Sequence, residues 1–388
     1  MISLLLSGVG LFLSLWIVVP APTRLWLPLG VGATEICLWL VGLNTLALAL
    51  ALSQPQGGGR TTALVLGGLA LGLSALPLVQ FPAANARIAA EMQARLGPNY
   101  LATVPTAVTQ NFRPRPLVLA DGLRGINIAP VHIERDIEFA RPAGASLTLN
   151  VYRPMILAAY PALVVIYGGA WQSGTPASHE TFSRYMAAQG YTVVAIDYRH
   201  APQYRFPAQT EDVQTALAYI QQQAATLGVD LDRTALLGRS AGGHLAAIAA
   251  YNSPPIPIRA VVNYYGPVDL LEGYSDPPVP DPIDTQAVLR TFLGGTPTEL
   301  PALYRQASPI RYVKPNLPPT LLVYGGRDHL VQARYGRRLY EQLRANGNTA
   351  VWLGIPWAEH AFDTVFNGVS NQLALYYTER FLAWALRG

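Results

Sequence analysis

The chain has 388 residues, room for one large domain plus an extension. Hydrophobic residues make up 51% and charged residues only 13%, too apolar a balance for an ordinary soluble enzyme, and the excess lies at the N-terminus. The net charge of +4 comes almost entirely from scattered arginines, with Lys314 the only lysine, so nucleic-acid binding has little support; Cys37 stands alone, which excludes an intrachain disulfide and a multi-cysteine metal site.

Residues 1–82 carry three apolar stretches, Ile2 to Val19, Leu25 to Leu52 and Thr61 to Phe81. Each approaches or exceeds the roughly 20 residues that cross a hydrocarbon core, so the sequence predicts a membrane region of two to three transmembrane helices. The first lacks a positive flank beyond the amino terminus and is read as a retained span rather than a signal peptide. Glu35 interrupts the second, and the span is expected to begin just after it, leaving Glu35 at the interface. Gly68 and Gly72 form a G-x-x-x-G pattern that lets helices approach closely. Arg24 falls on the same side as Arg87, Arg95, Arg113 and Arg115, with Arg60 opposite. The positive-inside tendency then places the C-terminal part in the cytoplasm.

Residues 83–130 read as a connector. Its first part, Ala84 to Leu96, has helical spacing with Arg87, Glu91 and Arg95 on a polar face, suited to lying along a membrane surface. From about 131 to 388 strands and helices alternate. Strands are expected at Ile133–Phe139, Ser146–Tyr152, Ala162–Tyr167, Tyr191–Asp197, Thr234–Leu237, Arg259–Tyr265, Pro319–Tyr324 and Ala350–Ile355. Helices are expected near 180–189, over Pro207–Leu227 and Ala241–Ala250, and near 331–345 and 369–387. This order argues an α/β fold, a mostly parallel sheet flanked by helices. The proline-rich stretch 267–310 breaks the alternation and reads as an insertion over a site.

The chemistry centres on Gly238-Arg239-Ser240-Ala241-Gly242, which sits between an apolar run and an Ala-rich helix. A tight strand-to-helix turn of this kind lifts a serine hydroxyl out of the fold and points the helix N-terminus at the reaction centre. A serine needs a base, and the base needs a carboxylate to fix its tautomer. Among six histidines, His360 lies in a loop after the last strand, where catalytic groups collect in open α/β sheets. His244 lies one helical turn beyond Ser240 and reads as structural. Asp328 follows a buried strand and a glycine turn, giving the chain order Ser240, Asp328, His360; Asp269 is the second choice of acid. Glu359 and Asp363 are too close to His360 in sequence to orient it. Gly168 and Gly169, after another buried strand, join the Ala241 N–H as candidate oxyanion donors. Trp171 is either a pocket wall or a packed aromatic.

These pieces resemble the α/β-hydrolase superfamily, specifically its esterase/lipase group of hormone-sensitive-lipase-like and kynurenine-formamidase-like enzymes. The resemblance covers 131–388 and rests on Tyr167-Gly-Gly-Ala-Trp-Gln-Ser-Gly174, Asp197-Tyr-Arg-His-Ala-Pro202 with Phe206-Pro-Ala208, Gly238 to Ala246, Tyr265-Gly-Pro-Val-Asp-Leu270 and Gly325-Gly-Arg-Asp-His-Leu-Val331. It implies ester hydrolysis through an acyl-enzyme, with Ser240, Asp328 and His360 as the triad and Gly168, Gly169 and Ala241 as oxyanion donors. One departure is that Tyr167 stands where the family usually has histidine. The expected molecule is a membrane-anchored carboxylic ester hydrolase acting on a small or lipid-like ester beside a bilayer, with no cofactor or metal. Isoprenylcysteine-methylesterase-like and arylformamidase-like hydrolases are alternatives of the same class. A non-catalytic membrane protein on a hydrolase-like fold is the alternative from another class.

Overall fold

The computed structural model describes residues 1–388. Four helices open the chain: α1 (Ile2–Leu15), α2 (Leu27–Glu35), α3 (Cys37–Leu52) and α4 (Gly58–Leu96). At 1.5 Å per residue, α1 reaches about 21 Å, short of the roughly 30 Å hydrocarbon core. By length and composition α4 is the one single helix able to cross a membrane, and α2 with α3 forms a second candidate bent by 79°. Three uninterrupted spans are therefore not what the chain builds. The break falls at Ile36, because Glu35 is buried against the following domain rather than left at an interface. Its Oε2 accepts the Ser370 N–H at 2.9 Å.

Helices α1, α3 and α4 pack on one another. Buried polar groups fix their register: Asn44 Nδ2 donates to Ser14 Oγ at 3.1 Å and to Ser74 Oγ at 3.2 Å, one residue from each helix. Gly68 and Gly72 are not the packing pair, since both are exposed and a Cβ on either would meet nothing within 4 Å. Gly67 takes that role, where a Cβ would meet Leu48 and Ser7 at 3.0 Å.

The expected boundary at residue 82 falls inside α4, a single helix of 39 residues that carries Pro77 and Pro82. The segment expected on a membrane surface is its second half. Ala84, Ile88 and Met92 are buried at helical spacing, and the helix packs on the last strand of the sheet. Phe81 lies 5.9 Å from the Trp357 ring, and the Tyr340 hydroxyl donates to Glu91 at 2.6 Å.

Eight strands form one sheet: β1 (His132–Ala140), β2 (Leu147–Arg153), β3 (Tyr160–Ile166), β4 (Thr192–Ile196), β5 (Val229–Arg239), β6 (Ala260–Tyr264), β7 (Thr320–Gly325) and β8 (Ala350–Ile355). Their order is β1-β2-β4-β3-β5-β6-β7-β8. The hairpin β1–β2 is antiparallel, and β2 meets β4 antiparallel. Every later pairing is parallel. Strands β3, β4, β6 and β7 are mostly apolar and buried along nearly their whole length because helices cover both faces. Edge strand β1 is half exposed and bulged near Asp136, which suits an edge. The helix expected over Pro207–Leu227 divides into Ala208–Gln222 and Ala224–Leu227. Across the middle of one face runs the buried helix Val369–Arg387. This is the α/β-hydrolase fold.

Candidate active site

Strand β5 ends at Arg239, and Ser240 follows at φ +52°, ψ −122°, a backbone that a non-glycine residue adopts only under constraint. The constraint is visible on both sides. The Ser240 N–H donates to the Tyr264 carbonyl at 2.9 Å, and its own carbonyl accepts from the His244 N–H at 3.1 Å. The flanking glycines are obligatory: a Cβ on Gly238 would lie 2.0 Å from the Gly242 carbonyl oxygen, and one on Gly242 would lie 2.1 Å from that of Ile166.

The loop after β8 brings His360 to this turn, with Nε2 2.9 Å from Ser240 Oγ. Its Nδ1 lies 2.8 Å from Asp328 Oδ2. With the carboxylate accepting from Nδ1–H, Nε2 is free to accept from the serine. The other oxygen of Asp328 accepts the Leu330 and Val331 N–H groups at 2.8 and 2.7 Å, so Asp328 both closes its turn and faces the imidazole. Burial works against the imidazolium, but the Asp328 carboxylate outweighs it and holds His360 above the ordinary histidine value. Burial pushes Asp328 itself upward, against the pull of His360.

Gly168 and Gly169 follow β3 beside the serine. A Cβ on Gly168 would stand 3.0 Å from Ser240 Cβ. The N–H groups of Gly168, Gly169 and Ala241 donate to no other group of the protein, leaving three donors near the hydroxyl. Trp171 is 3% exposed. It stacks on Phe292 with ring centroids 4.1 Å apart and lines the cavity in front of Ser240. His244 is structural: Trp171 Nε1 donates to its Nδ1 at 3.2 Å, and its Nε2 lies 2.6 Å from the Ala307 carbonyl. Burial pushes its pKa down to about 4. Asp269 caps the helix Leu270–Ser275 and accepts the Glu272 N–H. The stretch 267–310 does cover the site, through Val268, Ile283 and Leu289 among others.

Sequence reasoning left several groups without a role. Asp363 accepts from Arg239 Nε and from the Tyr265 hydroxyl. Both ends of the ion pair are 2% exposed. It ties the residue before Ser240 to the loop that carries His360. Burial raises the Asp363 carboxyl, while Arg239, His179 and Tyr265 more than offset this and hold it below the usual range. Glu359 accepts the His329 N–H at 2.7 Å and the His360 N–H at 3.0 Å, with Oε2 2.5 Å from His329 Nδ1. It thereby joins the β7 and β8 loops. Tyr167 donates its hydroxyl to Asp197, with His200 Nε2 at 2.8 Å. The residue that departs from the family pattern thus keeps the loop in a side-chain network.

The cavity is about 390 Å³, and half of its lining residues are hydrophobic. An apolar cleft floored by a serine–imidazole–carboxylate chain and free N–H donors suits attack on a carbonyl. Comparison with known proteins agrees with this chemistry. The BD-FAE family model matches residues 149–343, half of the chain. Esterase LipC of Mycobacterium tuberculosis is 36% identical over 233 residues, covering 55% of this chain and 57% of that protein. Esterase LipQ of the same organism is 31% identical over 264 residues, covering 62% of each. The chain thus spans less than two thirds of the length of these relatives. Among solved structures, the Pyrobaculum calidifontis esterase matches with TM-score 0.57 at 27% identity, over 68% of this chain and 87% of that one. Propionate-bound Est2, an esterase of Thermogutta terrifontis, matches with TM-score 0.52 at 25% identity, over 65% and 93%. An eight-stranded α/β-hydrolase sheet, a serine on its strained turn and a family match across the strands that carry it lead to one assignment: this chain belongs to the BD-FAE family.

Proposed function

We propose that this protein is a membrane-anchored serine hydrolase that cleaves carboxylic esters through an acyl-enzyme. The carrying observation is the chain Ser240 Oγ–His360 Nε2, His360 Nδ1–Asp328 Oδ2 at the floor of an apolar cavity. In this reading Ser240 Oγ attacks the ester carbonyl carbon while its proton passes to His360 Nε2. Asp328 holds the tautomer and stabilises the imidazolium. The carbonyl oxygen gathers charge against the N–H groups of Gly168, Gly169 and Ala241. As the ester C–O bond breaks, His360 returns the proton to the leaving alkoxide, leaving an acyl-Ser240 ester and a free alcohol. Water then attacks this ester, giving a proton to His360; the acyl–Oγ bond breaks, His360 returns the proton to Ser240 Oγ, and the carboxylic acid leaves. The esterase names of the relatives and structural neighbours support the ester class, and the hormone-sensitive-lipase-like motif set supports it from the sequence.

Anchoring rests on α4 and the bent pair α2–α3, whose outward residues, among them Trp39, Leu46, Val65 and Leu69, are exposed and apolar. The arginine distribution puts the catalytic domain on the cytoplasmic side. The test is a p-nitrophenyl ester chain-length series on detergent-solubilised protein. Ser240→Ala is expected to lower kcat/KM by at least about 10⁴-fold. Wild type inactive on esters of every length, or equal to Ser240→Ala, removes the hydrolase reading. Protease cleavage of the hydrolase domain from outside intact cells removes the cytoplasmic placement.

A further inference from the structure

The N-terminal helices do more than precede the hydrolase domain: they sit on its catalytic edge. The turn just after α1, at Ile17 and Val18, shares a cleft with Arg327, Pro356 and Trp357. Those residues belong to the loops leaving the carboxyl ends of β7 and β8. The turn between α1 and α2 continues to the cavity itself, where Arg24 and Leu27 stand in the same lining as Ser240 and His360. We propose that Arg24 is a specificity-determining residue, placed to bind an anionic oxygen group, carboxylate or phosphate, on an otherwise apolar ester. This rests on the ester-hydrolase reading above.

Three observations carry the assignment. The first is a census of charge around the cavity. Arg239 is 1% exposed and paired with Asp363, and His179 Nδ1 lies 3.9 Å from the same carboxylate. Asp269 caps a helix, and His360 is engaged by Asp328. Arg24 is exposed and makes neither an ion pair nor a hydrogen bond, so it is the unspent positive charge at this site. The second is that the turn is held in place. Trp16 and Trp26 stack across it with ring centroids 5.3 Å apart, Ala21 is 1% exposed, and the Trp26 N–H donates to the Thr23 carbonyl at 3.1 Å. At the far end of α2, Glu35 fastens the helix to the Ser370 N–H. A guanidinium on a fixed turn loses less freedom on binding than one on a loose loop. The third is position. Leu25 is 80% exposed beside Arg24; in the anchored reading above, that apolar side chain would face lipid and the neighbouring guanidinium the headgroup level. Because guanidinium forks match carboxylate and phosphate oxygens equally well, the chemistry names the anion and leaves its source to experiment.

The test uses full-length protein in detergent and two matched ester pairs. One pair carries the anion on the acyl side: the mono-p-nitrophenyl ester of adipic acid against p-nitrophenyl hexanoate. The other carries it on the alcohol side: an octanoyl glycerophosphate against monooctanoylglycerol. The readout is the ratio of kcat/KM for the anionic over the neutral member. Arg24→Gln is expected to lower that ratio about 10- to 150-fold in one pair, the range of a charge-assisted hydrogen bond. The change should lie in KM rather than kcat, with partial rescue by Arg24→Lys, and the responding pair identifies the side of the ester that faces Arg24. Ratios unchanged within twofold in both pairs, with the neutral esters turned over, overturn the role of Arg24 and leave the hydrolase reading standing. Wild-type protein that hydrolyses none of the four esters removes that reading and this inference with it.

Discussion

Asp363→Ala tests whether the buried ion pair behind the nucleophile holds the site together. The substitution leaves the Arg239 guanidinium buried with its charge uncompensated. What remains around it are the rings of Phe182, 4.3 Å from its centre, and Tyr264, at 5.2 Å. The Tyr265 hydroxyl loses its acceptor at the same time. Breaking one side of a buried pair costs about 3–5 kcal/mol, a large part of the 5–15 kcal/mol that holds a typical domain folded. With about 2–4 °C per kcal/mol for a domain of this size, melting should fall by roughly 6–20 °C, followed by intrinsic fluorescence in detergent. Activity should fall too, because Arg239 is the neighbour of Ser240 and Asp363 lies three residues past His360; a displacement of about 1 Å between reacting groups costs on the order of 10²-fold. The double variant Arg239→Met with Asp363→Leu removes both charges and should melt well above Asp363→Ala, since well-packed apolar residues replace buried pairs at little cost. An Asp363→Ala protein that melts within 2 °C of wild type, or a double variant no more stable than the single, would refute the reasoning.

Two pH predictions accompany it. The base must be neutral to accept the serine proton, and Asp328 holds His360 above the ordinary value of 6.5. The acid limb of kcat/KM should therefore have its midpoint above 6.5 and move lower in Asp328→Asn; a limb below 6.5 or insensitive to that change contradicts the pairing. Stability follows a different pair of histidines. Burial lowers both His179 and His244 from 6.5 to about 4. The unfolded chain therefore takes up protons that the folded chain refuses, and stability present above pH 6.5 is lost as pH falls toward 4, on the order of 3 kcal/mol for each group. His244→Gln should flatten that decline by about half, whatever it does to stability at pH 8. An unchanged slope in urea melts across this window would rule out His244 as a contributor.

The parts of this fold legible from sequence are those set by local pattern. Apolar runs placed β3, β5, β7 and β8, and the loops at their carboxyl ends held the residues that meet at Ser240. What escaped was set by tertiary contact. The arginine of the nucleophile turn and Asp363 are distant in sequence, and neither carries a local pattern. The available signal was indirect: a carboxylate too near His360 to orient it, with no other evident task. The N-terminal helices misled for the same reason. A polar face on Arg87, Glu91 and Arg95 looked like a surface helix because sequence shows periodicity and not the partner. The neighbouring stripe of Ala84, Ile88 and Met92 is what docks, on β8, and Glu91 at its edge is drawn in with it through Tyr340. Glu35 looked like an interfacial carboxylate, yet the bend at Ile36 brings it to the N-terminal end of the helix Val369–Arg387, where a free N–H favours an acceptor.

The way α4 meets the sheet also bears on why the N-terminal helices sit on the catalytic edge. The second half of α4 packs beside β8, at one end of the strand order, whereas the chain re-enters the sheet at β1, at the other end. Eight strands about 4.8 Å apart put these ends roughly 34 Å from one another. The segment 97–131 has to make that crossing, and it is bonded along the way. The Arg113 N–H donates to Glu379 at 3.0 Å, its Nη2 to Gln372 at 2.9 Å, and the Val118 N–H to the same Gln372 oxygen at 2.8 Å. Arg380 returns a bond to the Arg113 carbonyl at 3.0 Å. The final helix is therefore shared, gripped by Glu35 of α2 at its start and by the crossing segment along its length. With α4 fixed at β8 and the crossing segment fixed on this helix, the α1–α2 turn has little freedom to leave the cavity. An N-terminal unit tied to the sheet at both ends presents the same wall to every substrate, and that constancy is what the proposed discrimination between esters by Arg24 requires.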